Sequence, residues 1–198
     1  MADLKEGVRY VWSGNRAILV LITLSIVPNL ILQPVTFLLP VFTTEVLGRD
    51  ADVGGFLLAS HGFGGLVAAF GIASVGFIFR RGMVCLVTAL LSSVLAVAFA
   101  FSAWLPVAFV VIALHAFSQS TYRTTAGTLI QTLVPDELRS RVTSLQRYSQ
   151  GFVVLTSLLI GWYAGEKSVP FAISVAGIVG IVVSLAYLAK ARRIRELA

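Results

Sequence analysis

Charged side chains are scarce in this chain of 198 residues. They make up 12% of it, whereas 58% of the residues are hydrophobic. Soluble proteins average about 25% charged residues, and a soluble fold of this size has too little interior to bury so much apolar surface. A soluble domain is therefore excluded, and we predict a polytopic membrane protein.

Residues that carry catalytic chemistry are also few. Cys85 is the only cysteine, which excludes an internal disulfide and a cysteine-based metal site. None of the seventeen glycines has a serine two positions on, and no His-Glu-x-x-His motif or carboxylate pair lies in an apolar run. A channel's filter sequence or charge ring is missing as well. We therefore expect neither an enzyme nor a cofactor.

Long uncharged runs predict the membrane spans, because a bilayer core of about 30 Å needs about 20 apolar helical residues. The run after Arg81 is too long for one span and breaks at "FSAWLP", where Trp104 and Pro106 suit an interfacial turn. We predict an all-α bundle of six membrane helices, at residues 17–44, 53–79, 83–101, 106–134, 146–165 and 169–189. Residues 1–16 would form an amphipathic cytoplasmic linker and residues 190–198 a basic cytoplasmic tail.

Basic residues indicate the orientation of these spans. Of the 15 lysines and arginines, only Arg49 and Lys167 fall on one side of the membrane, and Arg123 lies within a span. The other side receives Lys5, Arg9, Arg16, Arg80, Arg81, Arg139, Arg141, Arg147, Lys190, Arg192, Arg193 and Arg195. This asymmetry predicts that both termini are cytoplasmic. Because the basic residues follow the span ends and form no stripe, the net charge of +6 does not indicate a nucleic-acid partner.

Polar residues are concentrated in the first and fourth spans. The first carries Asn29 and Gln33 among three prolines, and the fourth carries "HAFSQSTYRTTAG" at residues 115–127. The second span is rich in small residues that let helices approach closely. The third and sixth spans carry little beyond serine and threonine. We therefore expect the first and fourth spans to line a cavity, the second to pack against other helices, and the third and sixth to be peripheral.

The stretch "VPDELRSRVTSL", residues 134–145, resembles the loop between helices ten and eleven of major facilitator superfamily transporters. "DLKEGVRYVW", residues 3–12, is similar to the linker before helix seven in the bacterial branch that includes the enterobactin exporter and macrolide-efflux proteins. The resemblance implies the C-terminal six-helix half of a twelve-helix efflux transporter in the bacterial cytoplasmic membrane. It also implies that the second and fifth spans face the other bundle. The loop at residues 71–82 departs from the family's pattern, because it has no Asp.

Arg123 is the main candidate for a functional residue. An arginine at mid-bilayer costs roughly 2.5–3.5 kcal/mol on insertion scales, and all nine acids of the chain lie at or outside the span ends. Its counter-charge would be an anionic substrate, cavity water, backbone carbonyls or an acid on another bundle. The alternative is an arginine that reaches the cytoplasmic headgroups. The full set of candidate cavity-lining residues is Arg123, Gln119, His115, Tyr122, Asn29 and Gln33.

Two functions follow from these observations. The first is one half of a secondary transporter that exports a small molecule, with a partner that is either the missing N-terminal half or a second copy of the chain. The alternative is a non-transporting, truncated or structural membrane subunit that needs a partner bundle. Two readings stay open for the histidines, because His61 and His115 could carry a proton or form hydrogen bonds between helices.

Overall fold

The computed structural model describes residues 16–75 and 80–190, and every regular element among them is helical. The first predicted span is broken into α1 (Arg16–Leu24), a π-helical segment (Val27–Ile31), a 3₁₀ segment (Gln33–Leu38) and α2 (Leu39–Glu45). Five longer helices follow: α3 (Ala51–Val75), α4 (Arg81–Ala100), α5 (Leu105–Leu133), α6 (Asp136–Glu166) and α7 (Val169–Lys190). The linker predicted at 1–16 and the tail predicted at 190–198 lie outside the described residues, apart from Arg16 and Lys190, which are helical.

Five helical stretches are long and apolar enough to cross a membrane: Val20–Glu45, Asp52–Ser74, Arg81–Ala100, Leu105–Leu133 and Val169–Lys190. They confirm an all-α, polytopic membrane bundle. The span predicted at 146–165 lies inside α6, whose apolar part, Gly151–Glu166, is shorter than the other five stretches. That sixth crossing stays a prediction.

Proline explains the broken first span. Pro28, Pro34 and Pro40 have no N–H to donate, so an unbroken α-helical ladder cannot run through them. The backbone changes its pairing instead: the Leu32 N–H donates to the Val27 carbonyl at 3.0 Å and the Val35 N–H donates to the Leu32 carbonyl at 3.1 Å. The result is a span with carbonyl groups available to neighbouring helices, at the depth where Asn29 and Gln33 lie.

Helix α6 begins at Asp136, where the sequence predicts a new helix N-terminus. Pro135 has extended backbone torsions and precedes two acidic residues in the first turn. The helix then continues without a break past residue 146, where the predicted membrane span begins. The predicted boundary at 146 lies beside Arg147, the last charged residue before Glu166, whereas the helix itself begins ten residues earlier.

The helices alternate in direction, as the predicted topology requires. One core cluster joins Leu21 of α1, Cys85 near the start of α4, and Leu129 near the end of α5. A second cluster joins residues from the opposite ends of the helices, among them Phe42 of α2 and Phe99 of α4, whose rings lie 4.4 Å apart between centroids. Arg49 and Lys167 therefore lie at one end of the bundle, and Arg80, Arg139 and Lys190 lie at the other.

Helices α4 and α7 pack against each other through small residues. A Cβ added at Gly177 would lie 3.0 Å from the Ser93 carbonyl oxygen, and one added at Gly180 would lie 2.6 Å from the Ser93 hydroxyl. Each of the two helices leaves an apolar stripe uncovered on its other side; on α4 it includes Val87, Leu91 and Val94. These stripes suit contact with lipid, as expected for peripheral helices.

Candidate functional site

Three of the six candidate residues lie inside the bundle and bond to backbone carbonyls of other helices. Gln119 is 3% exposed, and its Nε2 donates to the Pro28 carbonyl at 2.7 Å. Tyr122 is 1% exposed, and its hydroxyl donates to the Leu21 carbonyl at 3.0 Å. His115 is fully buried, with Nδ1 2.9 Å from the Ser92 carbonyl oxygen.

Gln119 and Tyr122 both bond to the broken first span. In a bilayer there is no water to satisfy backbone groups that a proline break leaves unpaired, and side chains of neighbouring helices can supply donors to them. Gln119 does so for the Pro28 carbonyl in the π-helical segment, whereas the Tyr122 hydroxyl is a second donor to the Leu21 carbonyl, which already accepts from the Ser25 N–H at 3.1 Å. These two bonds hold α5 against the kinked span and keep its shape.

Replacing Gln119 by leucine or Tyr122 by phenylalanine should therefore lower stability. Each change removes a buried donor, and such bonds in membrane proteins are worth about 0.6–2 kcal/mol. The measurement is thermal unfolding of the purified protein in detergent. Thr128→Val is the matched control, because the Thr128 hydroxyl bonds to the Thr124 carbonyl of its own helix at 2.9 Å. If both variants unfolded at the same temperature as Thr128→Val, these two hydrogen bonds would not hold α5 against the first span.

Arg123 lies on the uncovered side of α5. Its side chain is exposed, and one guanidinium nitrogen donates to Gln33 Oε1 at 3.5 Å, the long limit of a hydrogen bond. Within residues 16–75 and 80–190, no acidic side chain pairs with it. Arg123 stands ten residues before the end of α5, about 15 Å along the helix axis. Asn29, the remaining candidate, is buried in the π-helical segment.

The uncovered face of α5 around Arg123 is polar. Thr124 and Gln131 are exposed, and Ser120 and Thr128 are partly exposed. Their positions relative to Arg123 place them on one side of the helix. Side chains that face hydrocarbon are normally apolar, whereas this stripe suits water. A polar surface therefore lies beside the Arg123–Gln33 contact. It is in the half of α5 that is nearer to the basic end of the bundle.

A groove elsewhere on the bundle has a different character. It has a volume of about 420 Å³ and lies between α6, α7 and the π-helical segment. Its walls are apolar and include Ile31, Leu159, Trp162 and Val175. None of the six candidate residues lines it. It is an apolar crevice, and the polar candidate residues lie elsewhere.

The sequence could not show the partners of these side chains. Ser92 contributes only its backbone carbonyl, and the same is true of Pro28 and Leu21. No residue type marks a carbonyl that will accept a bond from a distant helix. The prolines were the available signal for the first span, because they mark where the backbone ladder must break.

A family model described as Major Facilitator Superfamily matches residues 2–157, which is well over half of the chain. The match includes α1 to α5 and most of α6. No curated protein and no solved structure matches the chain.

Proposed function

Because the chain belongs to the Major Facilitator Superfamily, we propose that it forms one six-helix bundle of a secondary transporter that exports a small anionic molecule. The bundle works by alternating access against a second six-helix bundle, with the binding site between the two. The likeness of residues 134–145 to the bacterial efflux branch supports export. The Arg123–Gln33 contact supports the choice of an anion.

Arg123 carries the proposal for the substrate class. A charge at this depth is normally paired or cavity-facing, and among the described residues the hydrogen bond of Arg123 goes to a neutral carboxamide at 3.5 Å. Most of its donors are therefore available to a ligand. A guanidinium presents those donors in a planar fork that matches carboxylate and phosphate groups. Gln33 orients the fork from the first span, so the site would form where the first and fourth spans meet.

The outward face of α3 is the first argument that a second bundle packs against this one. Its outward face leaves Gly55, Ala59 and Gly62 exposed, and a Cβ added at either glycine would meet no atom within 4 Å. The glycines of α7 that were described above point inward, against α4. Small residues on an outward face allow another helix to approach closely. Large apolar side chains flank this stripe, among them Phe56, Phe63, Leu66 and Phe70.

Helix α6 offers a second uncovered face. Leu155, Leu158 and Trp162 are all more than half exposed, whereas Ala164 on the other side of the helix is buried. The second and fifth spans are the ones that the resemblance places against the partner bundle. We assign the faces of α3 and α6 to that contact. We also place the basic end of the bundle in the cytoplasm, so a cysteine at Ala103 should react with an external, membrane-impermeant thiol reagent.

Cross-linking tests this assembly. Phe63 on α3 and Val182 on α7 are almost equally exposed, at 65% and 62%. In a Cys85→Ser background, a cysteine at Phe63 that carries a maleimide-linked benzophenone should form a photo-cross-linked product with the second bundle when membranes are irradiated. A cysteine at Val182 faces lipid and should give little product. Equal yields from the two positions would contradict the assignment of α3 to the contact.

A further inference from the structure

The chain's two histidines lie against each other, away from Arg123. The ring of His61 on α3 and the ring of His115 on α5 have centroids 6.1 Å apart, with their planes inclined by 45°. The two helices are held closely beside this pair. The Ser60 hydroxyl donates to the Phe109 carbonyl at 3.0 Å, and Gly64 lies against the Ala113 backbone. The separation of the rings is therefore set by backbone contacts.

The tautomer of His115 follows from its partner. A carbonyl only accepts hydrogen bonds, so the Nδ1 that lies 2.9 Å from the Ser92 carbonyl oxygen must carry a proton. In the neutral ring, Nε2 is then unprotonated, and its lone pair can bind a proton donor or a metal ion. Nε2 of His115 and Nε2 of His61 are both buried, and neither has a hydrogen-bond partner in the part of the chain that the structure describes. A ring that donates one nitrogen to a carbonyl and leaves the other bare is the usual state of a metal-binding histidine.

The distance between the rings discriminates between a shared proton and a metal ion. With roughly 1.2 Å from ring centre to nitrogen, rings whose centres lie 6.1 Å apart bring their nitrogens no closer than roughly 3.7 Å. A direct N–H···N bond needs about 3 Å. Two metal–nitrogen bonds of about 2.0 Å that lie nearly in line span about 4 Å. The pair is therefore too wide for a direct shared proton, and it has room for one ion when the two Nε2 atoms are turned towards each other.

The choice of ion follows from the ligand number and the charge. The described residues contain no group of three or more His, Cys, Asp or Glu that could hold a metal, and Zn²⁺ normally takes four ligands. Charged groups on the three helices around the pair are distant: Asp52 stands nine residues from His61, Arg123 eight from His115, and Arg81 eleven from Ser92, each more than about 10 Å along its helix. No carboxylate on these three described helices lies close enough to offset the charge of a buried divalent ion, which favours a monovalent one.

We propose that His61 and His115 together bind one soft monovalent cation, Cu⁺ or Ag⁺. Both ions are satisfied by two ligands in line, which is the arrangement that the 6.1 Å separation allows. The bound ion would link α3 to α5 through the two imidazoles. His61 is only partly buried, so the ion would enter from the α3 side. The site does not depend on the proposed transport function, because it uses neither Arg123 nor a second bundle.

Silver binding tests the site. The protein carries Cys85→Ser, because a thiolate binds Ag⁺ more strongly than an imidazole does. Purified protein in chloride-free buffer is titrated with silver nitrate while its unfolding temperature is followed. We expect the unfolding temperature to rise with the logarithm of the Ag⁺ concentration once the site is filled. His61→Gln and His115→Gln should each abolish the rise, and Zn²⁺ should give little or none.

Two outcomes would overturn the proposal. One is the absence of any rise with Ag⁺ in the Cys85→Ser protein, as expected if only a water molecule bridges the rings. The other is an undiminished rise in His61→Gln, a change at a partly exposed position that should leave the fold intact by circular dichroism and gel filtration. X-ray absorption of the Cu⁺ form gives a second readout: two nitrogen ligands support the site, and sulfur ligands contradict it.

Discussion

Replacing Gly64 by valine should lower the free energy of unfolding by about 3 kcal/mol or more, at the upper end of what overpacking costs. A Cβ at this position would run into the carbonyl group of Ala113, and it would lie only 3.0 Å from the Ala113 Cα. These are backbone atoms of α5, so no side-chain rotation relieves the clash. The helices α3 and α5 would have to separate, which also breaks the Ser60–Phe109 hydrogen bond. The measurement is thermal unfolding together with the fraction of monodisperse protein after detergent extraction.

Gly62→Val is the matched control for this change. Gly62 lies two residues earlier in the same helix, and a Cβ there would meet no atom within 4 Å. Both substitutions replace glycine by the same β-branched residue, so their helix propensities change equally. Gly62→Val should therefore be close to neutral in the isolated chain. If Gly62→Val unfolded as easily as Gly64→Val, close packing of α3 on α5 would not be the cause.

Replacing Arg123 by alanine should reduce transport by the assembled protein about 10- to 100-fold while leaving membrane insertion and folding intact. The exposed guanidinium contributes little to packing, and hydrogen bonds to charged groups are worth about 1.5–3 kcal/mol. Arg123→Lys keeps the charge but loses the planar fork, so a similar loss would indicate that the fork grips an anionic group through two bonds. Initial rates of substrate export from cells or liposomes measure both variants.

Arg139→Ala is the control for the Arg123 variants. Arg139 forms an exposed ion pair with Asp136 at 2.6 Å, and such surface pairs contribute little. Its removal should leave transport unchanged. Normal transport by Arg123→Ala would show instead that this side chain only extends towards the headgroups, and the proposed anion site would be abandoned.

The helical layout of the bundle is readable from the sequence because it follows from simple physical quantities. Uncharged runs set the spans, Trp104 and Pro106 mark one turn, and Pro135 with the acids after it marks the start of α6. The prolines of the first span predict a broken backbone ladder. They do not predict that the break takes the form of a π-helical segment followed by a 3₁₀ segment, because that choice depends on the packing around it.

The candidate site is less readable, because adjacent residues of a helix point in directions about 100° apart. Tyr122 and Arg123 are neighbours in the sequence, yet the first is buried against Leu21 and the second is exposed beside Gln33. His115, Gln119 and Arg123 follow one another at intervals of four residues along the chain, a spacing that predicts one polar face. The structure divides that face, with His115 and Gln119 inside the bundle and Arg123 at its edge. Which side of a helix is covered depends on distant parts of the chain.

Transport by the chain alone tests the central claim, that this bundle works only against a second one. Purified chain is reconstituted in liposomes, with cross-linking and gel filtration used to establish how many copies form each particle. Export of lipophilic dyes and of anionic siderophores is then measured under an imposed gradient. We predict no saturable flux from single chains, and flux only when a second six-helix bundle, which can be another copy, is present. Saturable, gradient-driven flux from a single monomeric chain would contradict the account.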